Sequence, residues 1–232
     1  MLFPLYDENP TKSIPWITLL LILINVLVFI YELSLQSAGK LQQLFQTAAL
    51  IPYEITNLAK LTSDVPNIGI LAVFTSMFMH GGWLHIIGNM WYLWIFGNNV
   101  EDTLGHAKYL LFYLLCGIGG GIGHILSQPY SQVPTVGASG AIAGVLAGYL
   151  IMFPTARVVT IVPIFIFLQI VKVPAILLIG LWFLIQIASG MGSLSTQASG
   201  GTAWFAHIGG FIAGVVLVLV LSRKKTGGKD NY

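Results

Sequence analysis

Six runs of apolar residues, near 15–35, 83–100, 107–127, 136–153, 174–190 and 203–222, carry so few charges that they belong in hydrocarbon rather than in water. A helix rises about 1.5 Å per residue, so roughly 20 residues cross the ~30 Å apolar core of a bilayer. Inside it every backbone N–H and C=O must find its partner within the protein, which a helix provides along its own length. The expected fold is therefore an all-α polytopic membrane protein, a bundle of six transmembrane helices forming one domain over residues 1–232. Charged residues make up only 8% of the chain, against about 25% in an average soluble domain. The run from Pro15 to Leu35 is long enough to span and is followed by others, so it reads as a retained helix rather than a signal peptide.

An even number of spans puts both termini on one side. That side then holds Lys12, Lys108, Arg157, Lys172, Arg223, Lys224, Lys225 and Lys229, and the other only Lys40 and Lys60. Lys and Arg gather in cytoplasmic segments, so both termini are expected in the cytoplasm. The absence of an obvious appended soluble module points to a minimal form in the plasma (inner) membrane of a prokaryote. A net charge of +2, with its basic cluster placed directly after the last span, argues against nucleic acid as a partner. The single Cys116 excludes an intramolecular disulfide and reads as a small buried hydrophobe.

Three connections are informative. Residues 36–82 are too long for a simple hairpin and mix polar residues with Ile70-Leu71-Ala72-Val73-Phe74, so a structured first external loop is expected that packs on or dips into the membrane. Val158 to Val173 is apolar but holds Pro163 and Lys172 and shows no helical stripe. It reads as an interfacial connector, with a seventh span as the competing reading. Gly190 to Thr202, small, polar and uncharged, reads as a mobile external loop before the last span.

Chemistry concentrates in three short motifs. Gly137-Ala138-Ser139-Gly140 opens the fourth span, and Ala206-His207-Ile208-Gly209-Gly210 lies inside the sixth. Small residues commonly line helix interfaces, which alone would account for Ser139. His207 changes the balance, because an ionisable group within a span is a functional hypothesis by default. Gly140, Gly144 and Gly148 form one small face and Gly210 and Gly214 another. If these faces meet, the imidazole can take the Ser139 hydroxyl proton as the oxygen attacks a carbonyl and return it to the leaving amine. Glu101 and Asp102 fall at the opposite end of the second span, so a two-residue dyad is expected rather than a triad.

In the third motif, His80-Gly81-Gly82-Trp83-Leu84-His85-Ile86-Ile87-Gly88-Asn89, His85 and Asn89 are i and i+4 on one face. They are positioned to stabilise an oxyanion together with the Ser139 backbone N–H, or alternatively to bind neighbouring helices. Gly137, Ala138 and Gly140 would wall the site with little bulk. His80 reads as an organiser of the loop before the second span, His106 as an interfacial residue, and His124 has no assigned partner. No His-Glu-x-x-His is present, and no metal or cofactor is expected.

In order and placement these motifs resemble the rhomboid family of intramembrane serine proteases. The resemblance covers nearly the whole chain. It implies a Ser139–His207 dyad, an oxyanion site of His85, Asn89 and the Ser139 amide, and a water-filled cavity open to the external side. It also implies single-span membrane proteins as substrates, cut near or within their transmembrane segment. Ala143 stands where some relatives carry a tyrosine beneath the histidine, and no clear Trp-Arg pair occurs in the first external loop. The alternatives are an inactive rhomboid-like factor that binds membrane proteins, and a small transporter. Against the transporter, the chain has no pair of similar halves. Its partners are then the lipid bilayer and those substrates, and the oligomeric state is not legible.

Overall fold

The helix after Pro15, α1 (Trp16–Ser37), has no capping side chain of its own. In the computed structural model, which describes residues 3–57, 69–164, 167–196 and 203–221, its first amides are met by Glu101. The two carboxylate oxygens accept from the N–H groups of Ile17 and Thr18 at 2.8 Å each and from the Thr18 hydroxyl at 2.7 Å. These donors have no intrahelical partner, and a carboxylate there also lies favourably in the helix dipole. Asp102 beside it accepts from the Lys12 and Ser13 amides. Both acids end α5 (Trp83–Leu104), so α1 and α5 are fastened at one end of the bundle. His106 shares Glu101 through Nδ1 at 2.6 Å, a defined partner for a residue expected only to sit at the interface.

The described parts of the loop after α1 are structured, with α2 (Leu41–Ala48), α3 (Pro52–Thr56) and α4 (Ala72–Thr75), the last flanked by single 3-10 turns; residues 58–68 of that loop fall outside the described residues. The loop dips into the bundle, and glycines make the room. An ideal Cβ on Gly117 would lie 2.0 Å from the Met77 side chain, and one on Gly121 3.0 Å from Val73. Segment 69–78 then turns through 80° into α5.

Helices α6 (His106–Ser127), α7 (Ser139–Met152), α8 (Ala175–Thr196) and α9 (Trp204–Leu221) complete the set. The two expected glycine faces meet backbone to backbone. A Cβ on Gly210 would lie 1.9 Å from the Gly140 carbonyl oxygen, and one on Gly214 2.4 Å from that of Gly144. Gly148 does not join them; it faces Phe112 and Val100. A third glycine-rich helix does: Gly120 of α6 faces the Ala206 carbonyl and Gly140, and Gly123 faces Gly209. Close backbone approach gives van der Waals contact that leucine packing against lipid cannot supply.

Six helices thus stand where six spans are expected, with shifted ends. Four (α1, α6, α8 and α9) are long and apolar enough to cross a membrane alone, and α5 qualifies together with segment 69–78. α7 has 14 residues and starts at Ser139 instead of residue 136. The chain is a multi-pass integral membrane protein.

One connection takes a form that the sequence reading left open, and another corrects it. The segment placed as an interfacial connector is a β-hairpin, β2 (Arg157–Ile164) and β3 (Phe167–Pro174), to which β1 (Phe3–Asp7) adds in the order β1-β2-β3, all antiparallel. Its Val, Ile and Thr content favours strands, which the lack of a helical stripe already allowed, and no seventh span forms there. Lys172 pairs with Glu8, and the Tyr149 hydroxyl donates to Asp7 at 2.6 Å, tying the sheet to α7. The loop expected from Gly190 is helical as far as Thr196, because small polar residues are tolerated where helices pack. Gly190 itself lies against Trp204 and Ile208. The rest of that loop, and Arg223, Lys224, Lys225 and Lys229, fall outside the described residues.

Gly210→Ala should destabilise the protein by at least about 2 kcal/mol, because the added carbon meets backbone that cannot rotate away. Gly180→Ala, whose Cβ would meet nothing within 4 Å, should stay within about 0.5 kcal/mol of the parent. Unfolding in a graded SDS titration compares the two.

Candidate active site

The segment leading to Ser139 is held from several sides. Leu50 and Thr135 exchange backbone hydrogen bonds at 3.1 and 2.8 Å, and the Gly137 N–H donates to the Ser76 carbonyl at 2.8 Å. His124 has a partner after all: its Nε2 lies 2.9 Å from the Thr135 hydroxyl. Gly137 adopts φ +137°, a region L side chains rarely enter. Its ideal Cβ would also lie 2.8 Å from the His85 ring and 3.5 Å from Ser139 Oγ. Glycine is needed here for both backbone and space, and His85 and Ser139 flank it. Ser139 opens α7, where the first N–H groups have no intrahelical acceptor.

The meeting of α7 and α9 brings His207 Nε2 to 2.7 Å from Ser139 Oγ. On the other side of the ring, Nδ1 lies 2.7 Å from Gln186 Oε1 of α8. An amide oxygen only accepts, so this contact places the proton on Nδ1 and leaves the Nε2 lone pair toward the serine hydroxyl. Trp182 lies beside the imidazole, its ring centroid 5.9 Å away at 35°, and Trp204 meets it edge-on at 6.2 Å. Gln186 and the two tryptophans therefore surround the ring. Gln186 and His207 are 5% and 7% exposed. Gln186 escaped the sequence reading; its signal was a polar side chain within an otherwise apolar span. Glu101 and Asp102 are engaged at the α1 end.

Ser139, His207, His85, Asn89, Gly137 and Gly140 all line one cavity of about 640 Å³. Ala138 is fully buried behind it and does not line it. Among the described residues Asn89 Nδ2 is a buried donor without a partner. His80 is buried too, and its backbone N–H donates to Glu32.

A polytopic helical membrane protein with a serine and a histidine paired at the base of a cavity is the class that this fold and site define. The chain belongs to the rhomboid family: residues 69–224 match the model of the Rhomboid domain. It is 32% identical over 155 residues to the rhomboid protease GluP of Bacillus subtilis, covering 67% of this chain and 27% of that protein. It is 30% identical over 161 residues to the mitochondrial RHOMBOID-like protein 6 of Arabidopsis thaliana, covering 69% of this chain and 46% of the relative. The chloroplastic Rhomboid-like protein 11 of the same plant is 30% identical over 166 residues, with 67% and 54% covered. The chain spans about half the length of these relatives or less.

Gln186→Leu should remove the preference for the Nδ1-protonated form of His207. In ¹⁵N spectra of protein labelled at histidine, the parent should show that single tautomer and the variant a mixture; an unchanged spectrum would assign the tautomer to another group.

Proposed function

We propose that this chain is an intramembrane serine endopeptidase that cuts single-span membrane proteins near or within their transmembrane segment. The observation that carries this is the chain of contacts from Gln186 through His207 to Ser139, with 2.7 Å at each step. Neutral imidazole accepts the Ser139 proton at Nε2 as Oγ attacks the peptide carbonyl. The same proton passes to the amine of the departing half, and the acyl group stays on Ser139. Water then attacks the ester with His207 again as base. The Ser139 N–H, Asn89 Nδ2 and the His85 ring supply donors for the negative carbonyl oxygen formed at each addition. Gln186 is a positioning residue, standing where a triad would place a carboxylate.

In this reading residues 1–232 act as one unit, and both termini face the cytoplasm. Lys12 beside Asp102, Lys108 in the first turn of α6, and Arg157 and Lys172 beside Glu8 support that orientation, since all lie at the end of the bundle away from Ser139. The cavity then opens externally.

Ser139→Ala and His207→Ala should each lower cleavage of a single-span substrate by at least about 10⁴-fold, and the double variant by no more, because the pair acts as one device. Asn89→Ala and His85→Ala should cost roughly 10–10³-fold each, each removing one donor among several. Purified variants in liposomes, with folding checked by thermal unfolding, give the comparison.

A regular helix shields its own peptide bonds, and freeing its backbone in lipid costs several kcal/mol per unpaired group. Helix-breaking Gly or Pro near the cut lowers that cost. Replacing them by Leu in a good substrate should therefore slow cleavage by roughly tenfold or more while membrane insertion is unchanged. Equal rates in the same liposomes would refute selection by helix instability.

A further inference from the structure

The sheet stands upright along the bundle. Asp102 accepts from the Lys12 and Ser13 amides, Asn99 Nδ2 donates to the Asn9 carbonyl at 2.7 Å, and Trp91 Nε1 donates to the Pro4 carbonyl at 2.6 Å. These contacts lay the chain before α1 antiparallel along α5. From Asp102 back to Trp91 the helix rises about 16 Å, so β1 climbs from the charged end of the bundle almost to Asn89, which lines the Ser139 cavity. Phe3 pairs with Ile161 and Asp7 with Val158. The hairpin of β2 and β3 therefore rises with β1, and its turn points toward the level of the cavity.

β1 packs on α5, and β2 and β3 pack on α8, the helix that brings Trp182 and Gln186 to the cavity. The inner face of the sheet, with Pro4, Val158 and Thr160, is buried. The edge of β1 faces α5, whereas no strand pairs beyond β3 among the described residues. An antiparallel strand gives alternate N–H and C=O groups to one neighbour, so β3 carries the rest along its outer edge. The upper half of that edge is also apolar and open, with Phe167, Leu168 and Ile170 exposed by 67%, 72% and 68%. Charge returns only at the base, where Lys172 pairs with Glu8. Neither solvent suits such an edge: water leaves the apolar side chains unburied, and hydrocarbon leaves the backbone groups unpaired. An extended apolar segment satisfies both, by the pairing through which peptides add to open sheet edges.

We propose that the outer edge of β3 takes up the unwound stretch of a single-span substrate as a fourth strand while the peptide bond to be cut lies at Ser139. The proposal rests on the endopeptidase reading above. An apolar segment drawn out of its helix has unpaired N–H and C=O groups and apolar side chains together, the same two needs as β3. Pairing there offsets part of the cost of unwinding. Pairing with β3 of a second copy, and contact with lipid alone, are the outcomes that the test separates from it.

Leu168→Cys and Ile170→Cys are made singly in Ser139→Ala protein, and single cysteines are placed along a single-span substrate on the cytoplasmic side of its cut. Cys116 is fully buried and stays out of the exchange. In liposomes under mild oxidation, disulfides should form at every second substrate position, displaced by two residues between the two variants. A spacing of three and four, disulfides between copies of this chain, or none to substrate would overturn the proposal. With Ser139 in place, Ile170→Lys puts a charge on the edge, as sheets do to block pairing. It should raise KM about tenfold with kcat within about twofold, and leave unchanged the cleavage of a substrate that ends a few residues past the cut. Equal losses on both substrates would also overturn it. The disulfides carry the test alone if Ile170→Lys does not fold. A parent protein that cleaves no single-span substrate would instead defeat the endopeptidase reading.

Discussion

Backbone contact between α7 and α9 is the constraint on which the rest depends. Gly140 against Gly210 and Gly144 against Gly214 let the two helices touch without side chains between them, and α6 closes the same junction through Gly120 and Gly123. A hydrogen bond between a serine on one helix and a histidine on another needs axes this close, since both side chains are short. Larger residues at these positions would part the helices by more than such a bond spans. The same glycines that build the core therefore bring Ser139 and His207 within hydrogen-bonding distance.

The two ends of the bundle are built differently. At one end Glu101 and Asp102 convert buried or partly buried charge into helix caps and fasten the chain before α1 to α5. At the other, the contacts seen around the site among the described residues are of a different kind. Neutral hydrogen bonds from the first loop and the 135–137 segment hold it, along with Met77 and Val73 seated in notches on α6. Neutral contacts can separate without leaving an isolated charge in a medium of low dielectric, which would suit the substrate entry proposed above.

What the sequence made legible follows from how local each signal is. Ser139, His207 and their glycine faces could be read because intramembrane polar residues are costly and helical spacing fixes which residues share a side. Glu101 and Asp102 were rightly set apart from His207 by helix length alone. Gln186 was missed because its role depends on how α8 docks against α9, a tertiary fact that no spacing within α8 encodes. The hairpin of β2 and β3 was missed for a similar reason: an apolar segment rich in Val and Ile satisfies both a membrane connector and a strand, and β1, its partner, lies about 150 residues earlier. The continuation of α8 past Gly190 shows the reverse case, in which packing against Trp204 overrides a local preference for a loop.

The shortness of α7 fixes a depth. Fourteen residues extend about 21 Å, some 9 Å less than the apolar core of a typical bilayer. The far end of α7 is tied to the sheet through Tyr149 and Asp7, and Ser139 stands at the other end. On the reading proposed above, a nucleophile held that far short of the surface would meet substrate peptide bonds about six residues along a helix from it. The ruler would be the helix itself, and lengthening α7 by one turn would move its mark by about 5 Å.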